Sequence, residues 1–206
     1  MPRGNVDLFG RELTVSLDAL ERAIERERPD LFCHARGRRD GHDRLHRHRR
    51  LNRSYLAPWG PKAWRDVLRR HDAVIRDVTG HHGGTVVETQ GDGSMLAFSS
   101  AGRAVACAQM IQRDMSTAFR DDSPPIRIRI GVHTGDAIQE ADRFFGTTVH
   151  YAARVASQAL GGEVLVSNLV RELVANSGVQ FTESREVELK GLDGAHRLFA
   201  VDLTDR

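Results

Sequence analysis

The chain has 206 residues, which is enough for one ordinary domain and a short extension. Its apolar fraction of 40% and charged fraction of 28% are typical of a globular protein, and a formal net charge of +2 gives no overall attraction to nucleic acid. No apolar run could span a bilayer and the first residues lack a secretory signal, so we expect a cytoplasmic protein without a membrane partner. Cys33 and Cys107 make no disulfide framework, and Cys107 is predicted to be a small core residue.

The first quarter of the chain is charged and irregular. Leu17, Leu20 and Ile24 recur at helical spacing before Pro29, which predicts a helical extension over residues 1–32. Residues 33–57 have almost no aliphatic periodicity and include "HDRLHRHRRLNR" at 42–53. We expect this segment to be disordered and to precede a domain at residues 58–206.

A regular pattern begins at Pro61. A helix is predicted to run from Pro61 to a C-cap at Gly80, and its buried face comprises Trp64, Val67, Leu68, His71, Ile75 and Val78. Next, "TVVET", "GDG" and "SMLAF" predict a β-hairpin with an acidic tip. "AGRAVACAQMIQRDM" predicts a second helix that buries Val105, Ala108, Ile111 and Met115.

The rest of the chain alternates strands and helices. "IRIRIGVH" predicts a strand with Ile126, Ile128, Ile130 and Val132 on one face. A helix ("TTVHYAARVASQA"), a strand ("GGEVLVS"), a short helix ("NLVRELVANS", capped by Ser167 or Asn168) and two closing strands ("REVELKG" and "HRLFAVDL") follow. This order predicts an α+β fold with helices on one face of a mainly antiparallel sheet.

Five motifs stand in a fixed order: "HGGTVVETQGDGSMLAF", "IRIGVHTGDAI", "FFGTTVHYAARVA", "GGEVLVS" and "VELKGLDGAHRLFAV". The ordered set resembles the catalytic domain of class III nucleotidyl cyclases, the adenylate and guanylate cyclases, over about residues 61–202. The resemblance implies a ferredoxin-like fold and a head-to-tail homodimer. It also implies conversion of ATP or GTP to a 3′,5′-cyclic nucleotide and pyrophosphate, with Mg²⁺ or Mn²⁺ as cofactor.

The resemblance also assigns roles to three residues. Asp92 in "GDG" matches the family's second metal-binding aspartate, although aspartate is also ordinary in a hairpin turn. Arg154 in "HYAARV" matches the arginine that stabilises the transition state, and the alternative is a solvated helix arginine. Lys190 in "ELKG" matches the lysine that binds the triphosphate, and the alternative is a lysine at a strand edge.

Three further positions depart from the family pattern. Glu88 stands where adenylate cyclases carry a lysine that reads adenine, and glutamate there is typical of guanylate cyclases. Arg143 occupies the partner position, which is usually Asp in adenylate cyclases and Cys in guanylate cyclases. His150 replaces the asparagine that orients the ribose. These substrate-binding residues leave the choice between ATP and GTP open.

In this family, the first strand ends in a motif like "FTDIVGST" and carries the first metal aspartate. The sequence has no counterpart of this motif. The basic segment stands at the right distance before Asp92 instead. As a buried strand it would place Arg44, Arg47, Arg49 and Arg50 inside the sheet, and each unpaired buried charge costs roughly several kcal/mol. A domain is stable by only about 5–15 kcal/mol, so the first core strand is predicted to be lost.

A shift of reading frame accounts for the basic segment. Synonymous codons can be chosen for Arg39 to Ala57 such that the same bases, translated in the frame one nucleotide later, encode "GTVMTVFTDIVGSTEATW". The aspartate codon of this peptide overlaps the codon of Arg47. The hypothesis is that about residues 36–58 are translated out of frame, and that a second shift near Trp59 restores the family sequence.

These observations predict a class III cyclase domain with little or no activity as written. A catalytically dead dimerisation or nucleotide-sensing module is the first alternative. A nucleic-acid-binding arm at residues 36–53 is less favoured because aromatic residues are scarce there. His46 and His48 lack a third ligand for a metal site.

Overall fold

A computed structural model describes residues 31–38, 60–90, 93–122, 126–140 and 143–204. Residues 1–30 of the predicted helical extension, the basic run at 42–53 and the predicted metal ligand Asp92 lie outside the described residues, whereas residues 31 and 32 of that extension begin a strand. Among those that are described, none of the helices is both long and apolar enough to cross a bilayer.

The described elements alternate along the chain. The helices are α1 (Gly60–His81), α2 (Ala101–Ala118), α3 (Thr147–Gln158) and α4 (Asn168–Leu173). The strands are β1 (Leu31–Arg38), β2 (Thr85–Gln90), β3 (Gly93–Phe98), β4 (Arg127–Thr134), β5 (Ile138–Glu140), β6 (Arg143–Phe145), β7 (Val164–Ser167), β8 (Phe181–Glu188) and β9 (Ala195–Val201). All the elements that the sequence predicts from residue 61 onward are present, and β5 and β6 were not predicted.

Seven strands form one sheet in the order β2-β3-β1-β4-β7-β9-β8, and β5 and β6 form a separate antiparallel pair. Neighbouring strands of the large sheet are antiparallel except for β4 and β7, which are parallel. The predicted α+β class, with helices packed on a mainly antiparallel sheet, is confirmed.

Helices cover both faces of the sheet, and not one face as the sequence analysis expects. Successive strand residues point to opposite faces. On β3, Leu96 and Phe98 join the large core with α1, α2 and α4, whereas Met95 and Ala97 pack with Ala152 of α3. Strand β3 is buried along its whole length, which is why a second covering helix is needed.

Helix α1 extends one residue beyond its predicted C-cap. Gly80 lies inside the helix, and Gly83, with a φ of 66°, makes the left-handed turn that ends it. The N–H of Gly84 donates to the carbonyl of Thr79 at 2.9 Å. The predicted apolar face is confirmed, since Val67 and Ile75 are buried in the core.

The centre of the sheet holds a strand, although the first core strand is predicted from the sequence to be lost. Strand β1 lies between β3 and β4, and its residues 31–38 overlap the segment at 33–57 that is predicted to be disordered. Without β1, the backbone N–H and C=O groups on the facing edges of β3 and β4 would be unpaired. The structure therefore corrects the expectation of a vacant position, although the strand sequence "LFCHARGR" is unlike "FTDIVGST".

Candidate active site

Helix α3 carries two of the predicted site residues, His150 and Arg154, and it lies very close to the sheet. A Cβ added to Gly131 of β4 would be 2.1 Å from the backbone nitrogen of Ala156, so a glycine is required there. At the other end of the helix, the hydroxyl of Thr148 donates to the carbonyl of Asp136 at 2.5 Å. The position of α3 on the sheet is thus fixed at both ends.

One side of α3 packs against an apolar cluster that also contacts the strand that carries Glu88. Val87 of β2 and Val149 of α3 pack against the same apolar cluster, which Met95, Ala97 and Ala152 form. Glu88 itself is exposed and pairs with Met95, next to a bulge in β2. The packing brings the strand of Glu88 next to the helix of His150.

The other side of α3 packs against the turn that carries Lys190. Val155 and Leu189 belong to one buried cluster, and Leu192 packs on its margin. Lys190 follows Leu189 directly and is exposed. The side chains of Arg154 and Lys190 therefore lie on two elements that one apolar cluster joins.

Arg143 lies on β6, whose last residue is two positions before the start of α3, and it pairs with Glu140 of β5. The described candidates Glu88, Arg143, His150, Arg154 and Lys190 are thus all on α3 or on elements adjacent to it. Their roles in binding a substrate stay predictions.

The expected two-metal centre does not fit the described residues. Residues Gln90 and Gly93 pair across the hairpin whose tip contains Asp92, and Gly93 also pairs with Arg36 of β1. The family's first metal aspartate would come from this central strand, but "LFCHARGR" contains neither Asp nor Glu. Within the described part of the chain, no three His, Cys, Asp or Glu side chains come together as a metal site. Bridging two divalent cations requires carboxylates that this strand cannot supply.

A partly buried cluster of three rings, which the sequence motifs do not indicate, lies beside these residues. The His133 ring on β4 stacks on Tyr151 of α3 with centroids 3.8 Å apart and planes at 15°. The Tyr151 hydroxyl is 2.8 Å from Nδ1 of His196 on β9, and Nδ1 of His133 is 2.8 Å from the hydroxyl of Ser167. The three rings come from distant parts of the sequence, so no local spacing indicates them.

Burial, together with a smaller repulsion from His196, lowers the pKa of His133 from 6.5 to about 4. Burial also raises the pKa of the Tyr151 hydroxyl. His133 is therefore neutral near pH 7, and its ring stacks and bonds to Ser167 as an uncharged imidazole.

We expect this shift to make the free energy of unfolding depend on pH. Because the folded pKa of His133 is lowered, the unfolded chain binds the proton first as the pH falls below 6.5. The stabilisation is complete above that pH and is lost progressively as the pH falls to about 4. The free energy of unfolding is measured with urea at several pH values. It is expected to fall less between pH 6.5 and about 4 in His133→Phe, which keeps a ring but cannot titrate, than in the unaltered chain. Equal losses in the two proteins would contradict the assignment.

Comparison with known proteins decides the family. The sequence profile of the "Adenylate and Guanylate cyclase catalytic domain" matches residues 51–202, which is most of the chain. The chain belongs to this family. It is 32% identical over 143 residues to putative adenylate cyclase 3 of Rhizobium meliloti, a match that covers 68% of this chain and 24% of that protein. The cyclase domain thus spans about a quarter of this relative's length.

Solved cyclase structures share the fold. The guanylyl cyclase Cya2 is 24% identical with a TM-score of 0.68, and the alignment covers 83% of this chain and 90% of that one. The adenylate/guanylate cyclase/hydrolase from Silicibacter pomeroyi is 27% identical with a TM-score of 0.63, and the alignment covers 83% and 95% of the two chains. The predicted class III cyclase fold is confirmed, while the roles of individual site residues stay predictions.

Proposed function

We propose that this cyclase domain binds ATP or GTP as a head-to-tail homodimer and, as written, forms little or no cyclic nucleotide. The main support for the proposal is that β1 contains neither Asp nor Glu. The strand that pairs with the Gly93 end of the hairpin has arginine, and no carboxylate, where the family needs a metal ligand. A strand that contributes arginine and no carboxylate adds positive charge and no metal ligand, and positive charge disfavours the binding of a divalent cation.

The nucleotide-binding half of the site is better supported. Helix α3 with Arg154 and the turn with Lys190 pack on one cluster, and both side chains are cations that bind phosphate well. In the proposed dimer, Asp92 of one chain acts opposite His150 and Arg154 of its partner. The site would then bind a purine nucleoside triphosphate without turning it over, which also fits a nucleotide-sensing role.

The Arg154→Ala variant is expected to bind nucleotide about tenfold to a hundredfold more weakly, because a charge-assisted bond to phosphate contributes roughly 1.5–3 kcal/mol. The ligands are 3′-deoxy-GTP and 3′-deoxy-ATP, which lack the attacking oxygen, and titration calorimetry measures the affinity. Arg76→Ala, which changes an exposed arginine of α1, is the matched control and is expected to bind normally. Equal affinity of the two variants would contradict the assignment of Arg154, and no binding by the unaltered chain would contradict the proposed function.

We also propose that the basic segment arose by a shift of reading frame. The family match begins at residue 51, after the densest part of that segment, which supports a break in the family sequence there. In addition, the register of β1 and β4 sets Arg36 opposite Arg129 and Arg38 opposite Arg127. Like charges at opposite positions destabilise an antiparallel pair, so "LFCHARGR" is poorly suited to the central place. The coding DNA across codons 30–62 tests this proposal, and a sequence in which no single-base correction yields "FTDIVGST" would overturn it.

A further inference from the structure

The ring cluster of His133, Tyr151 and His196 connects four elements around the nucleotide-binding residues. His133 is on β4, Ser167 ends β7, Tyr151 is on α3 and His196 is on β9. The Tyr151 ring stacks face to face on His133. Its contact with His196 is edge to face, with centroids 5.2 Å apart and planes at 88°. Such pairs have preferred geometries, so the cluster constrains orientation as well as distance.

The cluster joins the two elements that carry the predicted phosphate-binding cations. Tyr151 precedes Arg154 by three residues, so the two side chains lie one helical turn apart on the same side of α3. His196 is the second residue of β9, just after the turn that carries Lys190. The hydrogen bond between the Tyr151 hydroxyl and Nδ1 of His196 therefore links the helix of Arg154 to the turn of Lys190.

This link is polar, although apolar packing alone could hold the helix. Nε2 of His196 is buried and has no hydrogen-bond partner, which costs free energy that an apolar side chain would not cost. Apolar contacts have little directional preference, whereas the hydrogen bond between the partly buried rings of Tyr151 and His196 has a preferred distance and direction and so favours one arrangement. A function for that arrangement would explain why a polar group is kept there.

We propose that Tyr151 is a positioning residue that holds Arg154 and Lys190 in one fixed arrangement for the triphosphate, through its hydrogen bond to His196. The inference rests on the proposed nucleotide binding. A site whose cations are already in place binds more tightly because less freedom is lost when the ligand arrives.

The test compares variants that keep or remove this one hydrogen bond. Tyr151→Phe keeps the ring and removes the hydroxyl. His196→Asn keeps a polar atom near the place of Nδ1, whereas His196→Leu has a similar size and no polar atom. We expect Tyr151→Phe and His196→Leu to weaken binding of 3′-deoxy-GTP about fivefold each, the value of one ordinary hydrogen bond. His196→Asn is expected to stay within about twofold of the unaltered chain.

The double variant Tyr151→Phe/His196→Leu is expected to lose no more affinity than either single variant, because both changes remove the same bond. Additive losses, or a loss in His196→Asn as large as that in His196→Leu, would overturn the proposal. A role in packing alone predicts that leucine is tolerated at least as well as asparagine.

A second measurement needs no nucleotide, so it separates this inference from the proposed function. Hydrogen exchange of the unliganded protein is expected to rise in Tyr151→Phe over both α3 and residues 189–194, and to stay unchanged in α1 and α2. Unchanged exchange in either of the first two segments would overturn the positioning role even if nucleotide binds. Absence of nucleotide binding in the unaltered chain, with the exchange result as expected, would overturn the proposed function and the role of the link in phosphate binding.

Discussion

Replacing about residues 39–57 with "GTVMTVFTDIVGSTEATW" is expected to turn a nearly inactive protein into a working cyclase. The new segment supplies the missing carboxylate on a strand free of arginine, which is expected to take the place of β1 between β3 and β4. Electrostatic groups at the reacting centre are worth on the order of 100-fold to 1,000-fold in rate, so we expect a gain of at least 100-fold. The gain in activity is measured by incubating the protein with GTP or ATP and Mn²⁺ and quantifying cyclic GMP and cyclic AMP by chromatography.

The matched control for this exchange is the same peptide with asparagine in place of its aspartate. It restores the strand and leaves the carboxylate out, so it is expected to fold like the restored protein and to stay inactive. If the restored protein were folded by circular dichroism and still inactive, the lack of a carboxylate in the central strand would not be what limits this chain. Equal activity of the two peptides would show that the carboxylate is not the deciding group.

The Gly131→Ala variant is expected to be destabilised by about 3 kcal/mol or more, because the added methyl overlaps the backbone of α3. A Cβ there would lie 2.1 Å from the nitrogen and 2.5 Å from the Cα of Ala156, and backbone atoms cannot rotate away as a side chain can. The helix must move off the sheet, so nucleotide affinity is expected to fall as well. Urea unfolding and calorimetric titration measure the two effects.

A second glycine offers a control for this substitution. Gly80 lies inside α1 with nothing within 4 Å of an added Cβ, so Gly80→Ala is expected to stabilise the protein by about 0.5–1 kcal/mol. The same chemical change thus has opposite expected signs at two positions. A loss of stability at Gly131 no larger than about 0.5 kcal/mol would mean that α3 is held less closely than its contact with β4 indicates.

The parts of the fold that local patterns determine could be predicted from the sequence. Helix α2 follows from the apolar spacing of Val105, Ala108, Ile111 and Met115, all of which are buried. Strand β4 follows from the alternation of Ile128, Ile130 and Val132, which are also buried. In each of these elements one face meets the core, so the period of the pattern identifies the element.

The parts that depend on distant partners could not be predicted. Strand β1 lacks an alternation of large apolar side chains, since only the small residues Cys33 and Ala35 alternate with polar ones. Its place is set by the backbone groups of β3 and β4 that it pairs with. The position of α3 on the opposite face depends on the burial of both sides of β3. In the candidate site, motifs indicated the candidate residues on α3 and on the β8–β9 turn, whose roles stay predictions. They did not reveal the bond from Tyr151 to His196, because 45 residues separate the two.

The most direct test of the central claim is an activity measurement on the purified chain as written. The protein is incubated with GTP or ATP and Mn²⁺, and cyclic product is compared with that of an Asp92→Ala variant. The unaltered chain is expected to bind 3′-deoxy-GTP or 3′-deoxy-ATP and to form no more cyclic product than the variant. Cyclic nucleotide formation well above the variant would contradict this expectation, since the two-metal chemistry would then proceed without the missing carboxylate.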